Sequence, residues 1–296
     1  MTSLADLAEL VRAPAALSVP GDVIAGAAAA GALSRRTPAL AGASVLLYWA
    51  GMAANDWSDR HLDAVERPER PIPSGRITPA AAVGLAAGLT AAGVGLAAAV
   101  GGRRAAALAV PLAATIWGYD LLAKNTAAGP AVMAACRGLD VLLGASGGRV
   151  IRALPAAATV AAHTWTVTAL SRREVTGADA TLPMRTLAGT AVVAASAVVA
   201  APRRGAVLPA VLAGWYAARY GAAQAEVVRD PSAGRVRAAV GAGITGLPAL
   251  QGRSPRGAER ACSGWPSRRP RRWGAGWPGK SLRHDRSPAS TRCAGR

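Results

Sequence analysis

The sequence predicts an all-α membrane protein, a polytopic bundle of about nine transmembrane helices followed by a disordered basic C-terminal tail. Of the 296 residues, 52% are hydrophobic and only 17% are charged. The apolar positions form long runs with few charges, and about 18 or more such residues in a row are enough to cross a bilayer. This composition excludes a collagen-like chain, a disulfide scaffold and a wholly disordered chain.

Successive apolar runs of about 20 residues define the predicted helices. Arginine pairs and Pro or Gly residues separate the runs, as in 101–104 and 202–205. Alanine and glycine dominate within the runs, which favours close packing of helices through small residues. The predicted spans are 14–33, 38–57, 79–100, 105–122, 127–145, 153–170, 184–201, 206–222 and 236–250.

The last 45 residues differ in composition from the rest of the chain. Residues 252–296 contain 12 basic and two acidic residues but no Ile, Val, Met or Tyr. Such a segment buries too little apolar surface to offset the entropy of ordering, so we expect disorder. The change falls inside the ninth apolar run, which favours a frameshift in the gene over a basic tail that binds RNA or lipid. We therefore expect a membrane domain over 1–251 and a separate tail over 252–296.

Charged residues indicate how the bundle is oriented. The N-terminus and the loops after even-numbered spans hold 14 of the 22 basic residues of the membrane domain. All 14 acidic residues of that domain are expected at the same end, including Asp22, Asp120 and Asp140. An excess of Arg and Lys marks the cytoplasmic side. We therefore expect an integral protein of a bacterial plasma membrane with its acidic residues at the cytoplasmic surface.

A cluster of acidic residues ends the second span. Asp56, Asp59 and Asp63 follow Asn55 at spacings that place the three carboxylates on one face of a helix. Three carboxylates so close together repel one another unless a cation neutralises them, and oxygen ligands select a hard ion such as Mg²⁺. Mg²⁺ completes its shell with water and substrate phosphate, so the implied ligand is a diphosphate.

A proline-stiffened loop with three arginines follows the acidic cluster. Arg67, Arg70 and Arg76 can meet phosphate oxygens. The order of the two parts, Asn-Asp-x-x-Asp-x-x-x-Asp and then Arg-Pro-x-Pro-Ser-Gly-Arg, resembles the first signature of the UbiA superfamily of intramembrane aromatic prenyltransferases. The alternative is a solvated acidic face beside a loop at the membrane surface.

Two further segments bear on this resemblance, which extends from about Leu10 to Gln251. The segment after the fourth span looks like a Tyr- and Lys-containing loop of the family, which implies that Lys124 binds phosphate; an ordinary interfacial lysine is the alternative. The family carries a second acidic motif between the sixth and seventh spans. Here Glu174 and Asp179 are five residues apart instead of four, so a second Mg²⁺ site and a helix-capping role for Asp179 both remain open.

The resemblance implies an enzyme that uses Mg²⁺ to transfer a prenyl group from a polyprenyl diphosphate to an acceptor within the membrane. The partners are then this donor, an unidentified acceptor and membrane lipid, with no nucleic acid. The implied catalytic residues are Asp56, Asp59 and Asp63. The implied diphosphate ligands are Asn55, Arg67, Arg70 and Lys124. The implied metal ligands are Asn55, Asp56, Asp59, Asp63, Glu174 and Asp179.

Two other functions compete with prenyl transfer. One is a non-catalytic family member that binds or transports a lipid or metabolite, favoured by the altered second motif. The other is a secondary transporter, suggested by the acidic residues Asp22 and Asp140 but lacking the inverted repeats that transporters need. Asp22 lies inside the first span and is a functional candidate able to pair with an arginine. His163 and Trp165 lie mid-span, where an interhelical hydrogen bond or packing is the favoured explanation.

Overall fold

The computed structural model describes residues 3–179, 181–199 and 207–252, and within these ranges the chain is helical with no strand. This confirms the predicted all-α class for the described part of the chain. The predicted tail lies outside the described residues, except for Gly252. The helices are α1 (Leu4–Leu10), α2 (Val19–Ala30), α3 (Thr37–Glu66), α4 (Pro79–Gly118), α5 (Gly129–Gly144), α6 (Leu154–Ser171), α7 (Thr181–Val199), α8 (Val207–Tyr216), α9 (Ala222–Arg229) and α10 (Ala233–Gln251).

Helix α4 is a hairpin of two antiparallel arms. Gly102 interrupts it with φ 66° and ψ −160°, and the Trp117 Nε1–H donates a hydrogen bond to Thr90 Oγ1 at 3.0 Å. In a straight helix these two residues would be about 40 Å apart, because each residue adds about 1.5 Å. The arms therefore correspond to the predicted spans 79–100 and 105–122, and the break falls at the Gly-Gly-Arg-Arg sequence that separates them.

Within the described residues, helices also occupy most of each of the other predicted spans. The eighth span is irregular, because a π-helical turn over Ala217–Gly221 joins α8 to α9. Two helical stretches, Thr37–Glu66 and Pro79–Ala123, are long and apolar enough to cross a membrane by length and composition. The number of spans that cross stays a prediction.

Small residues let α2 and α5 pack in backbone contact. A Cβ at Gly26 would lie 1.7 Å from the carbonyl oxygen of Val141, and one at Gly144 would lie 2.0 Å from that of Val23. No side chain fits at either position. The predicted packing through small residues therefore occurs at this interface.

Proline and threonine start the helices at the expected places. Pro38, Pro79, Pro130 and Pro155 each lie in the first turn of a helix, where the missing N–H is not needed. Thr78 caps α4 by accepting a hydrogen bond from the Ala81 N–H at 3.2 Å. These signals fix where the loop after the acidic cluster ends.

Asp140 does not lie where we expect it. Helix α5 begins close to the acidic cluster, because Lys124 just before it contacts Asp59, and Asp140 is four residues from the opposite end of α5. Its side chain is fully buried in the bundle. The expectation that every carboxylate of the membrane domain lies at one surface is therefore wrong for Asp140.

Replacing Gly102 by alanine should destabilise the hairpin. Its backbone conformation is accessible essentially to glycine alone, so a Cβ adds strain of about 1–3 kcal/mol. Gly88→Ala, at an open helical position in the same helix, is the control and should leave stability unchanged or raise it slightly. Thermal unfolding in detergent measures both variants. Equal unfolding temperatures would contradict the assigned turn.

Candidate active site

Three carboxylates lie on one face of the last turns of α3. Asp56 and Asp63 are 4% and 3% exposed, and Asp59 is half-buried. One guanidinium nitrogen of Arg70 contacts Asp63 Oδ2 at 2.7 Å and Asp56 Oδ1 at 3.3 Å. The predicted shared face is therefore present. Its two buried carboxylates, Asp56 and Asp63, both contact Arg70.

Two more cations complete the neutralisation of this face. Arg12 Nη2 lies 2.6 Å from Asp56 Oδ1, and Lys124 Nζ lies 2.7 Å from Asp59 Oδ1. The Lys124 side chain is 12% exposed, so it lies against the acidic cluster and not at an open surface. We call Asp56, Asp59, Asp63, Arg12, Arg70 and Lys124 the charge cluster.

The loop after α3 holds Arg70 in place through its own packing. Ile72 and Ile77 are buried in a core with the N-terminal part of α4. The backbone N–H groups of Ser74 and Ile77 donate to the carbonyl oxygens of Arg70 and Pro71 at 3.0 and 2.9 Å. The loop is thus tied down on both sides of the arginine, which orients the guanidinium toward α3.

The N-terminal helix α1 is held to the same loop by contacts of Arg76 with Asp6 and Glu9, which we call the clasp. Arg76 contacts Asp6 at 2.8 Å and Glu9 at 2.7 Å, and donates to the Glu69 carbonyl oxygen at 2.7 Å. Hydrogen bonds from Ser3 and then from Arg76 lower the pKa of Asp6 to about 2. Arg76 also lowers the pKa of Glu9, and the two carboxylates raise the pKa of Arg76. The clasp keeps Arg12, just after α1, close to Asp56.

Asp120 is a fourth carboxylate beside the cluster, one that the site prediction omitted. The Asn55 Nδ2 amide donates to Asp120 Oδ1 at 3.3 Å, and Asp120 is buried. The sequence held a signal for it, because Asp120 precedes Lys124 by four residues, a spacing that places both on one side of a helix. A cavity of about 30 Å³, roughly the room for one water, lies next to Asp120 and extends toward Tyr48.

Three residues of the predicted site lie apart from the cluster. Arg67 is exposed just after α3, and among the described residues it joins none of the cluster's ion pairs. Asp179 caps α7: its Oδ1 accepts from the N–H groups of Thr181 and Leu182 at 3.0 and 2.9 Å. The backbone N–H of Leu182 is the main cause that lowers the pKa of Asp179. Glu174 is half-buried in the preceding loop, where its carbonyl oxygen accepts from Arg237 at 2.8 Å.

The donor set fits Mg²⁺ in chemistry but not as an all-protein cage. Asn55 and the three carboxylates offer only oxygen atoms to a metal, as Mg²⁺ requires. Within the part of the chain that the structure describes, no three His, Cys, Asp or Glu side chains converge to hold a metal ion. The carboxylates instead contact Arg12, Arg70 and Lys124. This arrangement suits an ion held by one or two carboxylates and completed by phosphate oxygens.

Two other buried polar residues, Asp22 and His163, form contacts inside the bundle. Asp22 pairs with Arg137, whose Nε lies 2.6 Å from Asp22 Oδ2, and accepts from Gln251 Nε2 at 2.8 Å. His163 Nδ1 lies 2.9 Å from the Tyr216 hydroxyl, and the two rings meet edge to face. These contacts agree with the arginine partner expected for Asp22 and the interhelical bond expected for His163.

Comparison with known proteins identifies relatives of this fold. The model of the UbiA prenyltransferase family matches residues 18–225. A digeranylgeranylglyceryl phosphate synthase of Methanothrix thermoacetophila is 45% identical over 80 residues, which are 26% of this chain and 30% of that protein. The bacteriochlorophyll synthase 33 kDa chain of Rhodobacter capsulatus is 76% identical over 25 residues, 8% of each chain. The matched stretches thus span less than a third of either relative.

A solved structure shares the architecture. The apo structure of a UbiA homolog from Aeropyrum pernix K1 superposes with a TM-score of 0.64 at 18% identity, covering 81% of this chain and 95% of that chain. At this identity the likeness establishes the fold.

Acid should release α1 from the loop. Asp6 and Glu9 have folded-state pKa values below their ordinary values of 3.8 and 4.5, so their contribution is complete above those values and is lost as pH falls toward about 2. A spin label at Leu4→Cys, with the native cysteines replaced, should become mobile over this range. Arg76→Gln should make the label mobile at neutral pH; a label that stays immobile in that variant would contradict the clasp.

Variants of Asp179 can separate capping from metal binding. Asn caps a helix as well as Asp does, so Asp179→Asn should keep the unfolding temperature while Asp179→Ala lowers it. If Asp179 also holds a metal, the Asn variant should lose activity or Mg²⁺ affinity although it stays folded. If Asp179→Asn keeps the wild-type turnover and Mg²⁺ affinity, metal binding by Asp179 is excluded and capping of α7 is its role.

Proposed function

Because the chain belongs to the UbiA prenyltransferase family, we propose that it transfers a prenyl group from a polyprenyl diphosphate to an acceptor within the membrane. The observation that carries this proposal is the charge cluster at the end of α3. Arg70, Arg12 and Lys124 are already ordered against three carboxylates. Guanidinium and ammonium groups are the usual protein partners of phosphate oxygens.

The cations of the cluster stabilise the departing diphosphate. As the bond between the allylic carbon and the diphosphate oxygen breaks, its electron pair goes to the diphosphate and negative charge grows there. Arg70 and Lys124, held in fixed positions, interact with that charge more strongly in the transition state than in the ground state. The acceptor then forms a bond to the allylic carbon and gives up a proton.

Mg²⁺ belongs to this proposal as a cofactor. Asp56, Asp59 and Asp63, with Asn55, would hold it, and it would supply further positive charge against the diphosphate. Arg12 and Arg70 contact the same carboxylates, so they can exchange partners between carboxylate and phosphate oxygens as the donor enters. Arg67 stands outside the cluster and contributes least to this proposal. We propose Glu174 and Asp179 as ligands of a second Mg²⁺ ion.

Apolar side chains lie beside the cluster. Met52, Ile116 and Met133 line the small cavity next to Asp120, which has room for about one water and does not itself hold a prenyl chain. Apolar side chains near the breaking bond would limit hydrolysis of the allylic cation.

We also propose that residues 1–251 form the membrane domain of a protein of a bacterial plasma membrane. The distribution of Arg and Lys supports a cytoplasmic position of the charge cluster.

Replacing Asp56 by asparagine should reduce diphosphate release by about 100-fold or more, because a group that organises the charge cluster is lost while the side-chain size is kept. The measurement is diphosphate release from geranylgeranyl diphosphate by purified protein in phospholipid vesicles with Mg²⁺, with a membrane lipid extract as the source of acceptors. Glu66→Gln, at an exposed acidic residue at the end of the same helix, is the matched control and should keep the wild-type rate.

Two outcomes would count against catalysis by this cluster. A wild-type rate in Asp56→Asn would show that the reaction occurs elsewhere. A wild-type protein that binds the donor but releases no diphosphate with any lipid extract would favour the alternative, a non-catalytic protein that binds or transports a lipid.

A further inference from the structure

The end of the bundle opposite the charge cluster is strongly basic. The chain segments 31–36, 101–104 and 145–153 contain three pairs of arginines and no Asp or Glu. All six arginines are exposed: Arg35, Arg36, Arg103, Arg104, Arg149 and Arg152. The three segments meet, since a Cβ at Gly148 would lie 3.1 Å from Ala32 Cβ and one at Gly101 would lie 3.5 Å from Ser146 Oγ. The basic residues therefore share one end of the molecule.

This basic end lies at the depth of the second headgroup layer. Arg36 immediately precedes α3 and Asp56 lies near the other end of the same helix. Twenty residues of helix separate them by about 30 Å, the thickness of the hydrocarbon core. If the charge cluster is at one membrane surface, Arg35 and Arg36 are at the other.

An apolar groove begins beside this arginine pair. The groove has a volume of about 570 Å³ and lies between α2 and α3, within the range of ligand pockets. Ser34 and Thr37, which flank Arg35 and Arg36 in the chain, line the groove at the basic end. The walls farther from the arginines are apolar and include Ile24, Ala41 and Val45. Val45 is nine residues beyond Arg36, so the groove extends about 13 Å below the arginines.

We infer that this groove binds one anionic phospholipid, with an acyl chain between α2 and α3 and the phosphate at Arg35 and Arg36. Both ends of the groove match that ligand. The arginines offer charge complementary to phosphate at headgroup depth, and the apolar walls below them accept hydrocarbon. A soluble anion would use the arginines but leave the groove empty, and an uncharged lipid would use the groove but not the arginines.

The test compares dioleoylphosphatidylglycerol with dioleoylphosphatidylcholine, added to delipidated protein in detergent. Native mass spectrometry counts the bound lipids, and the shift in unfolding temperature gives an apparent affinity. The wild type should retain one phosphatidylglycerol and show a rise in unfolding temperature that phosphatidylcholine does not give. The double variant Arg35→Gln/Arg36→Gln should lower this affinity at least tenfold.

A groove-filling variant and a matched control complete the design. Gly42 lines the groove, and a Cβ there would make only an ordinary contact of 3.9 Å with Leu96 Cδ2. Gly42→Leu places a side chain in the groove from a position where the Cβ itself is tolerated, so it should exclude the acyl chain, with a similar loss of affinity. Arg103→Gln/Arg104→Gln removes the same charge from the same end but outside the groove, and should stay within twofold of the wild type.

Four results would overturn the inference. Equal effects of the two lipids would remove the role of headgroup charge, and an equal loss in the Arg103/Arg104 variant would indicate a diffuse basic surface. Inorganic phosphate reproducing the shift would indicate a soluble anion. Unchanged affinity in Gly42→Leu would show that the acyl chain does not bind in the groove. If that variant does not fold, the affinity of Arg35→Gln/Arg36→Gln decides whether the inference holds.

Discussion

The neutralisation of three carboxylates at the end of α3 constrains the rest of this structure. Asp56 and Asp63 are nearly inaccessible to solvent, and a buried carboxylate without a partner is strongly destabilising. The cations that pair with the three carboxylates come from segments far apart in the chain: Arg12 precedes α2, Arg70 lies in the loop after α3, and Lys124, which pairs with Asp59, lies between α4 and α5. The same ion pairs therefore hold the loops of this end together and assemble the proposed donor site.

This arrangement also explains why a ligand could bind without large rearrangement. Arg70 is fixed by the packing of its loop, and Arg12 by the clasp between α1 and Arg76. Side chains that are already ordered lose little conformational entropy when a diphosphate replaces or joins their carboxylate partners. The ion pairs that order the loops are therefore the same ones that place the cations at the proposed donor site.

The sequence predicts the helices and the acidic face well, because both depend on local spacing. The turn at Gly102 and the shared face of Asp56 and Asp63 follow from residues close together in the chain. Arg12 could not be chosen in this way, since it lies 44 residues from Asp56 and only the folded chain brings them together. Likewise, composition cannot rank Arg67 below Arg70: only the folded loop shows that Arg70 contacts the carboxylates and that Arg67 is exposed.

The tight turn of α4 bears on how the protein enters a membrane. Its two apolar arms are joined by a single non-helical residue, too short a link for one arm to be inserted while the other waits outside. In the proposed orientation the two arms would cross the membrane together, and they would carry Arg103 and Arg104 through the hydrocarbon at their tip. Each arginine at mid-membrane opposes insertion by about 2.5–3.5 kcal/mol on translocon scales, so the alanine-rich arms would have to supply the driving force for translocating both charges at once.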